Sequence, residues 1–272
     1  MISALRLKER LFGVAFLTFF FVGLPSAGAD LRGKEGSLVG EAIPILLYHR
    51  FGPVLADSMT VTTNVLESQL KYLRENSYTV IPLRHLIEYH FRKRQTLPCR
   101  SVVITVDDGH KTVYTDLFPL LKKYRLPATL FLYPSPISNA SYAMTWTQIR
   151  DMMGGGLIDL QGHTYWHPNF KNEKKKLSSV EYEKFVAMQF RKSKEKLEKE
   201  LDIKVDMLAW PFGIYDEDLI GKAGDAGYVA AFGMERHHAN GSDNVMALPR
   251  YLISDADRGK AFGRIVAGLP CS

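Results

Sequence analysis

Short apolar runs recur along the chain, and each is followed by a stretch in which apolar residues return every three or four positions. The first run is Ile43–Tyr48 (IPILLY), the second Val102–Val106 (VVITV) and the third Ala128–Tyr133 (ATLFLY). Shorter segments of the same character lie at 79–81, 157–160, 205–209, 228–231 and 247–248. Runs of this length predict strands, and apolar residues at consecutive positions mean that both faces are covered. Helical spacing marks 61–72, where Leu66 and Leu70 share a face with Leu73, and then 83–91, 112–124, 145–153, 178–201, 216–226 and 255–268. Buried strands alternating with helices predict an α/β chain on a parallel sheet. Seven or eight such units in roughly 240 residues suit a barrel. No G-x-G-x-x-G follows any strand, so an open dinucleotide-binding sheet lacks its signature. With no internal repeat and no Pro-, Gly- or Ser-rich linker, residues 30–272 read as one domain.

The N-terminus has a different grammar. Arg6, Lys8 and Arg10 precede the uncharged run Leu11–Leu24, Pro25 ends it, and Ala27-Gly28-Ala29 has small residues at both positions a signal peptidase reads. This predicts a secretory signal peptide over residues 1–29 and a mature protein in the periplasm or at the cell surface. The rival reading is an uncleaved anchor, but a helix of 14 residues spans only about 21 Å of a bilayer core roughly 30 Å thick.

Composition changes the picture in two places. Hydrophobic residues make up 46% of the chain, enough for a core, which excludes a disordered or low-complexity protein. Lys and Arg number 35 against 29 Asp and Glu, a formal +6 that falls to +4 without residues 1–29. Residues 171–204 hold 11 basic and 7 acidic side chains, so the remaining excess belongs to one segment. That segment reads as a helix with a solvated charged face and Val180, Met188, Leu197 and Leu201 turned inward. No nucleic-acid partner is expected, since basic and aromatic residues do not interleave. Cys99 and Cys271 are compatible either with a disulfide or with two separate thiols.

The polar residues with chemical potential collect after strands. His49, Asp107, Asp108, His163 and the segment Trp210–Gly213 each follow directly on a predicted strand. In a parallel barrel those ends share one rim, where residues distant in sequence converge. Asp107 and Asp108 are neighbouring carboxylates that repel unless a cation or proton separates their roles, and Gly109 permits a tight turn there. His163 and His167, in GHTYWHP, are four apart, while Pro168 and the preceding strand argue against a helix. Two imidazoles and one carboxylate form a three-ligand set that leaves positions for water and substrate, as a catalytic divalent ion requires.

The stretches TVDDG (105–109), HTYWHP (163–168) and WPFG (210–213), in this order and spacing, resemble the polysaccharide deacetylase family. This is the NodB-homology group of carbohydrate esterases, family 4-like, and the resemblance spans about residues 43–250. It implies a distorted (β/α) barrel of about seven parallel strands that hydrolyses an N-acetyl group from an acetylated amino sugar. It also implies roles: Asp107 as the base, and Asp108, His163 and His167 as ligands of a divalent ion, Zn²⁺ foremost with Co²⁺ or Ni²⁺ as substitutes. The backbone N–H of Phe212 is the implied oxyanion donor.

Two features depart from the family pattern. Ala209 stands where the third motif carries an Arg, and the late Leu-x-His acid is absent. His49, at the end of the first strand, is the candidate general acid; an early His of this kind resembles the branch acting on poly-β-1,6-N-acetylglucosamine. Arg250, in LPRY, is the candidate for orienting Asp107. Tyr133, Tyr165, Trp166 and Trp210 lie near the expected rim as candidate platforms for sugar faces. The expected partner is an acetylated amino-sugar polymer, met by a monomer that associates with polysaccharide synthesis or export machinery. Alternatives are a peptidoglycan or chitin-oligomer deacetylase, an O-acetyl glycan esterase, and an inactive carbohydrate-binding barrel, the last motivated by Ala209.

Overall fold

The computed structural model describes residues 42–92 and 96–268, which belong to a compact unit beginning at Val39. Residues 1–29, the expected signal peptide, and Cys271 lie outside the described residues; Cys99 is disulfide-bonded.

The chain opens with β1 (Ile45–Tyr48), β2 (Arg50–Gly52), β3 (Thr60–Thr62) and α1 (Thr63–Glu75). Next come β4 (Thr79–Val80), α2 (Leu83–Arg92) and β5 (Ser101–Asp108), then a π-helical turn (Val113–Leu117) running into α3 (Phe118–Tyr124). They are followed by β6 (Ala128–Leu132), α4 (Trp146–Met153), β7 (Ile158–Gly162), α5 (Phe170–Lys176) and α6 (Ser179–Leu201). The last elements are β8 (Met207–Ala209), a 3₁₀ turn (Pro211–Gly213), α7 (Glu217–Asp225), β9 (Ala230–Phe232), β10 (Tyr251–Leu252) and α8 (Lys260–Val266).

The main sheet runs in the order β10-β1-β5-β6-β7-β8-β9, with β4 paired to the start of β5, and every pairing is parallel. It is the curled seven-strand sheet expected from the strand–helix alternation. The segment 245–252 links its two edges: Leu248 bridges Phe232 on β9, and Tyr251 and Leu252 pair with Leu46 and Leu47 on β1. Arg250 sits inside this link. The pair β2–β3 and the short helix α5 were not foreseen; three-residue strands and one polar helix of seven residues leave too little periodicity to detect.

Strand parity sorts the core into two clusters. Leu46, Tyr48, Val102, Ile104, Val106, Leu130, Leu132, Leu208, Trp210 and Ala231 face the surrounding helices. Ile45, Val103, Phe131, Met207, Ala209, Ala230 and Phe232 fill the inside of the curl. Because side chains alternate along a strand, the inward column continues from Ile45 to His49, from Val103 to Thr105 and Asp107, and from Phe131 to Tyr133. From β7 the same parity turns Gln161 and then His163 inward.

Helix α6 corrects one expectation. A capping box (Ser178 with Glu181) starts it, and its buried face is Tyr182, Val186, Gln189, Phe190, Ser193, Leu197 and Leu201. Val180 is exposed and Met188 only half-buried, because the stripe begins two residues later than the apolar pattern suggested.

Candidate metal centre

The centre is built at the C-terminal ends of β5 and β7. Asp107 continues the inward column of β5 and is 2% exposed. Asp108 then takes a left-handed backbone (φ 76°), followed by Gly109 at φ 82°, which turns the second carboxylate toward the same cleft. Gly109 is required: a Cβ there would sit 2.9 Å from Leu132 Cδ2. Directly after β7, two strands along the sheet, His163 is buried, and the loop Thr164–His167 curls back with Thr164 (φ 62°) and His167 (φ 61°) both left-handed.

These turns bring three ligand atoms together. His163 Nε2 lies 3.6 Å and His167 Nε2 3.7 Å from Asp108 Oδ1, and one ligand atom from each residue falls within 4.8 Å of the others. Tetrahedral bonds of about 2.0–2.2 Å place neighbouring ligands about 3.3–3.6 Å apart, so the residues fit a divalent ion. The tautomer fits as well. His163 Nδ1–H donates to Ala209 O at 2.8 Å, which leaves the Nε2 lone pair facing Asp108. Burial, opposed by Asp107, lowers the His163 pKa to about 3, so the ring is neutral and able to ligate. Burial lowers His167 in the same direction.

Asp107 stands beside this set, with Oδ2 3.8 Å from His163 Nε2. Arg250, 0% exposed, clamps it with Nη1 on Oδ1 and Nη2 on Oδ2, each at 2.8 Å. The same guanidinium donates through Nε to Gly233 O at 3.0 Å and lies over the Phe131 ring. Burial alone would raise the Asp107 pKa, but the charge of Arg250 and its hydrogen bonds override it and bring it to about 2. Asp108, with no such clamp, is pushed up by burial and only partly restrained by His49. The two carboxylates are therefore differentiated by their surroundings. Arg250 reaches this point from the link between the sheet edges, whereas β8, where an Arg was expected, carries Ala209.

His49 ends the inward column of β1 and is buried in the field of Asp107, Asp108, Arg250 and His167. Among the described residues its Nδ1 has no hydrogen-bond partner. Phe212 has a left-handed backbone (φ 57°), and its ring, 56% exposed, meets the His167 ring edge-on at 4.5 Å.

The aromatic candidates separate by parity. Tyr133, on the inward column, sits 5.4 Å from the His167 ring and shares a hydrogen bond with Tyr142, its hydroxyl pushed up by burial. Trp166 is 48% exposed and leans on Phe185 of α6. Tyr165 lies under the Lys192 ammonium. Trp210 is 0% exposed, packs between Phe190 and Tyr215, and donates from Nε1 to Met246 O. It is outward on β8 and therefore a core residue with no face to offer a sugar, which corrects the expectation for it.

Sequence reasoning did not find Tyr142, 45% exposed beside Tyr133, or Gln189. Tyr142 lies in a loop without periodicity, and Gln189 looked like one more polar residue of a charged helix.

The curled parallel sheet with a His-His-Asp set at its strand ends defines a metal-dependent hydrolase. The family model described as polysaccharide deacetylase matches residues 94–231. The chain belongs to the polysaccharide deacetylase family and is a deacetylase. It is 29% identical over 201 residues to the poly-β-1,6-N-acetyl-D-glucosamine N-deacetylase of Staphylococcus aureus strain MRSA252, covering 72% of this chain and 68% of that protein. The protein of the same name from Escherichia coli K12 is 25% identical over 240 residues, 76% of this chain and 35% of that one. Two solved structures share the fold. Streptococcus pyogenes deacetylase PplD, in complex with acetate, aligns with a TM-score of 0.73 at 21% identity over 83% of this chain and 98% of that one. IcaB from Ammonifex degensii aligns at 0.72 and 22% identity over 84% and 97%.

Proposed function

We propose that the protein removes N-acetyl groups from a polymer of acetylated amino sugars, with poly-β-1,6-N-acetylglucosamine as the substrate. The observation that carries the reading is the three-ligand cluster beside a carboxylate clamped by a buried Arg. When bound at Asp108, His163 and His167, a divalent cation, for which we propose Zn²⁺, supplies Lewis acidity to the acetyl carbonyl and acidifies a water. The chain's own residues complete the hydrolysis. Asp107, ionised and oriented by Arg250, takes the proton from water as its oxygen adds to the acetyl carbon. The Phe212 backbone N–H donates to the oxygen that becomes negative. His49 gives a proton to the sugar nitrogen as the C–N bond breaks, so acetate and a free amine leave. Tyr133 and Trp166 are the proposed contacts for the sugar rings, and Tyr165, turned toward Lys192, a weaker one.

The β-1,6 assignment is supported by the names of the two curated relatives and by the early position of His49. The test is acetate release from defined β-1,6- and β-1,4-linked N-acetylglucosamine oligomers and peptidoglycan fragments, with Zn²⁺ or Co²⁺ and with chelator. Release from the β-1,6 oligomers alone is the expected result; preference for another polymer would replace the substrate. Near-normal release by a metal-loaded Asp107→Asn variant would sink the mechanism. Residues 1–29 further lead us to propose export to the periplasm or cell surface, which fractionation and N-terminal sequencing of the mature chain would check.

A further inference from the structure

The buried stripe of α6 contains an amide where an apolar side chain would pack. Gln189 is 0% exposed, between Val186 and Phe190 on the face turned to the barrel. A polar group removed from water in this way is tolerated when its hydrogen bonds are made. Gln189 Oε1 accepts two, from the backbone N–H of Tyr165 and of Trp166, each at 3.1 Å. Those two residues are the ones between the left-handed Thr164 and His167. A third amide of the loop, His167 N–H, is taken by Thr164 Oγ1 at 3.1 Å. Left-handed backbone is disfavoured at Thr and His, both of which carry a Cβ, so the loop holds this shape only because its surroundings impose it.

The ligand set is unequal in this respect. Asp108 and His163 stand at the ends of paired strands, and His163 is further fixed by its bond to Ala209 O and its backbone bond to Leu132 O. His167 hangs on the far side of the loop. We infer that Gln189 is a positioning residue of the metal centre: its amide oxygen holds the 164–167 loop in the shape that delivers His167 to Asp108 and His163. The inference rests on the reading of these three side chains as ligands.

Co²⁺ affinity, read by calorimetry and by the visible absorption of the bound ion, is the test. Gln189→Met, which fills the same space without an acceptor, is expected to weaken binding 10–100-fold, the range for partners that orient a ligand. Gln189→Asn, which withdraws the amide by one methylene, is expected to act in the same direction and serves if the Met variant does not fold. Gln189→Glu keeps an oxygen in place for both amides and should stay within threefold of wild type. In a His167→Ala background Gln189→Met should change Co²⁺ affinity less than twofold, because the ligand it positions is already gone; a purely structural role would weaken both backgrounds alike. Wild-type affinity in both Gln189→Met and Gln189→Asn, or loss in Gln189→Glu equal to that in Gln189→Met, would overturn the inference while leaving the metal centre standing. Absence of Co²⁺ binding by the wild type would overturn both.

Discussion

Replacing Arg250 by Met isolates the energetics of the clamp on Asp107. The side chain is fully buried and makes two 2.8 Å bonds to the carboxylate, one to Gly233 O at 3.0 Å and one to Thr105 Oγ1 at 3.3 Å. Methionine fills much of the volume but leaves Asp107 as an uncompensated buried charge, a change that costs about 3–5 kcal/mol. The sign of the pH dependence separates this cause from simple loss of packing. In the wild type the Asp107 pKa lies near 2, below the ordinary 3.8, so its contribution is fully present above pH 3.8 and is lost as pH falls through about 2. That difference corresponds to roughly 2–3 kcal/mol, and with the side chain 3% exposed it needs no large discount for solvent screening. Without Arg250, burial dominates and pushes the carboxyl above 3.8, so acidification from pH 7 toward 3.8 should stabilise the variant, whereas the wild type holds over that range and weakens only as pH falls from 3.8 through about 2. Urea unfolding in chelator, followed by tryptophan fluorescence, measures both. Arg250→Met with Asp107→Asn should recover part of the loss because no buried charge remains. A loss below about 1 kcal/mol at pH 7, or a double variant as unstable as the sum of the singles, would refute the reasoning.

Trp210→Ala should lower unfolding free energy by about 3–5 kcal/mol, since it empties a fully buried site, whereas Trp166→Ala should stay within about 1 kcal/mol and instead raise KM on oligomers. Reversal of the two effects, read from urea melts and acetate-release kinetics, would return Trp210 to the substrate face. Gly109→Ala should destabilise by about 1–3 kcal/mol and weaken Co²⁺ binding together, because the added carbon lies 2.9 Å from Leu132 Cδ2 in a left-handed turn that also aims Asp108. An unchanged melting temperature with unchanged metal affinity would contradict it.

Much of the site was legible because strand parity links sequence to direction. Once Ile45, Val103 and Phe131 are known to face inward, His49, Asp107 and Tyr133 must follow them, being separated by even numbers of residues. The same parity sends Trp210 outward, so its failure as a platform was readable from the register of Met207–Ala209 had the inner and outer columns been assigned. Helix α6 was legible in extent from its helical spacing, but not in the identity of its buried face. Gln189 and Ser193 occupy positions that an apolar pattern cannot mark, and Val180 suggested a stripe that the helix does not use.

What the sequence leaves hidden is polar satisfaction. Residue type tells that His163 can ligate, but not that Ala209 O fixes its tautomer, nor that Arg250 reaches Asp107 from the link between the sheet edges. Both depend on backbone that lies far away in sequence and was placed by apolar contacts. At β8 the two come together. Ala209 has too small a side chain to obstruct the interior, and its carbonyl orients the metal-facing imidazole. The position that departs from the family pattern at 209 therefore serves through its backbone, as the acceptor that orients His163, while the guanidinium on Asp107 comes from Arg250.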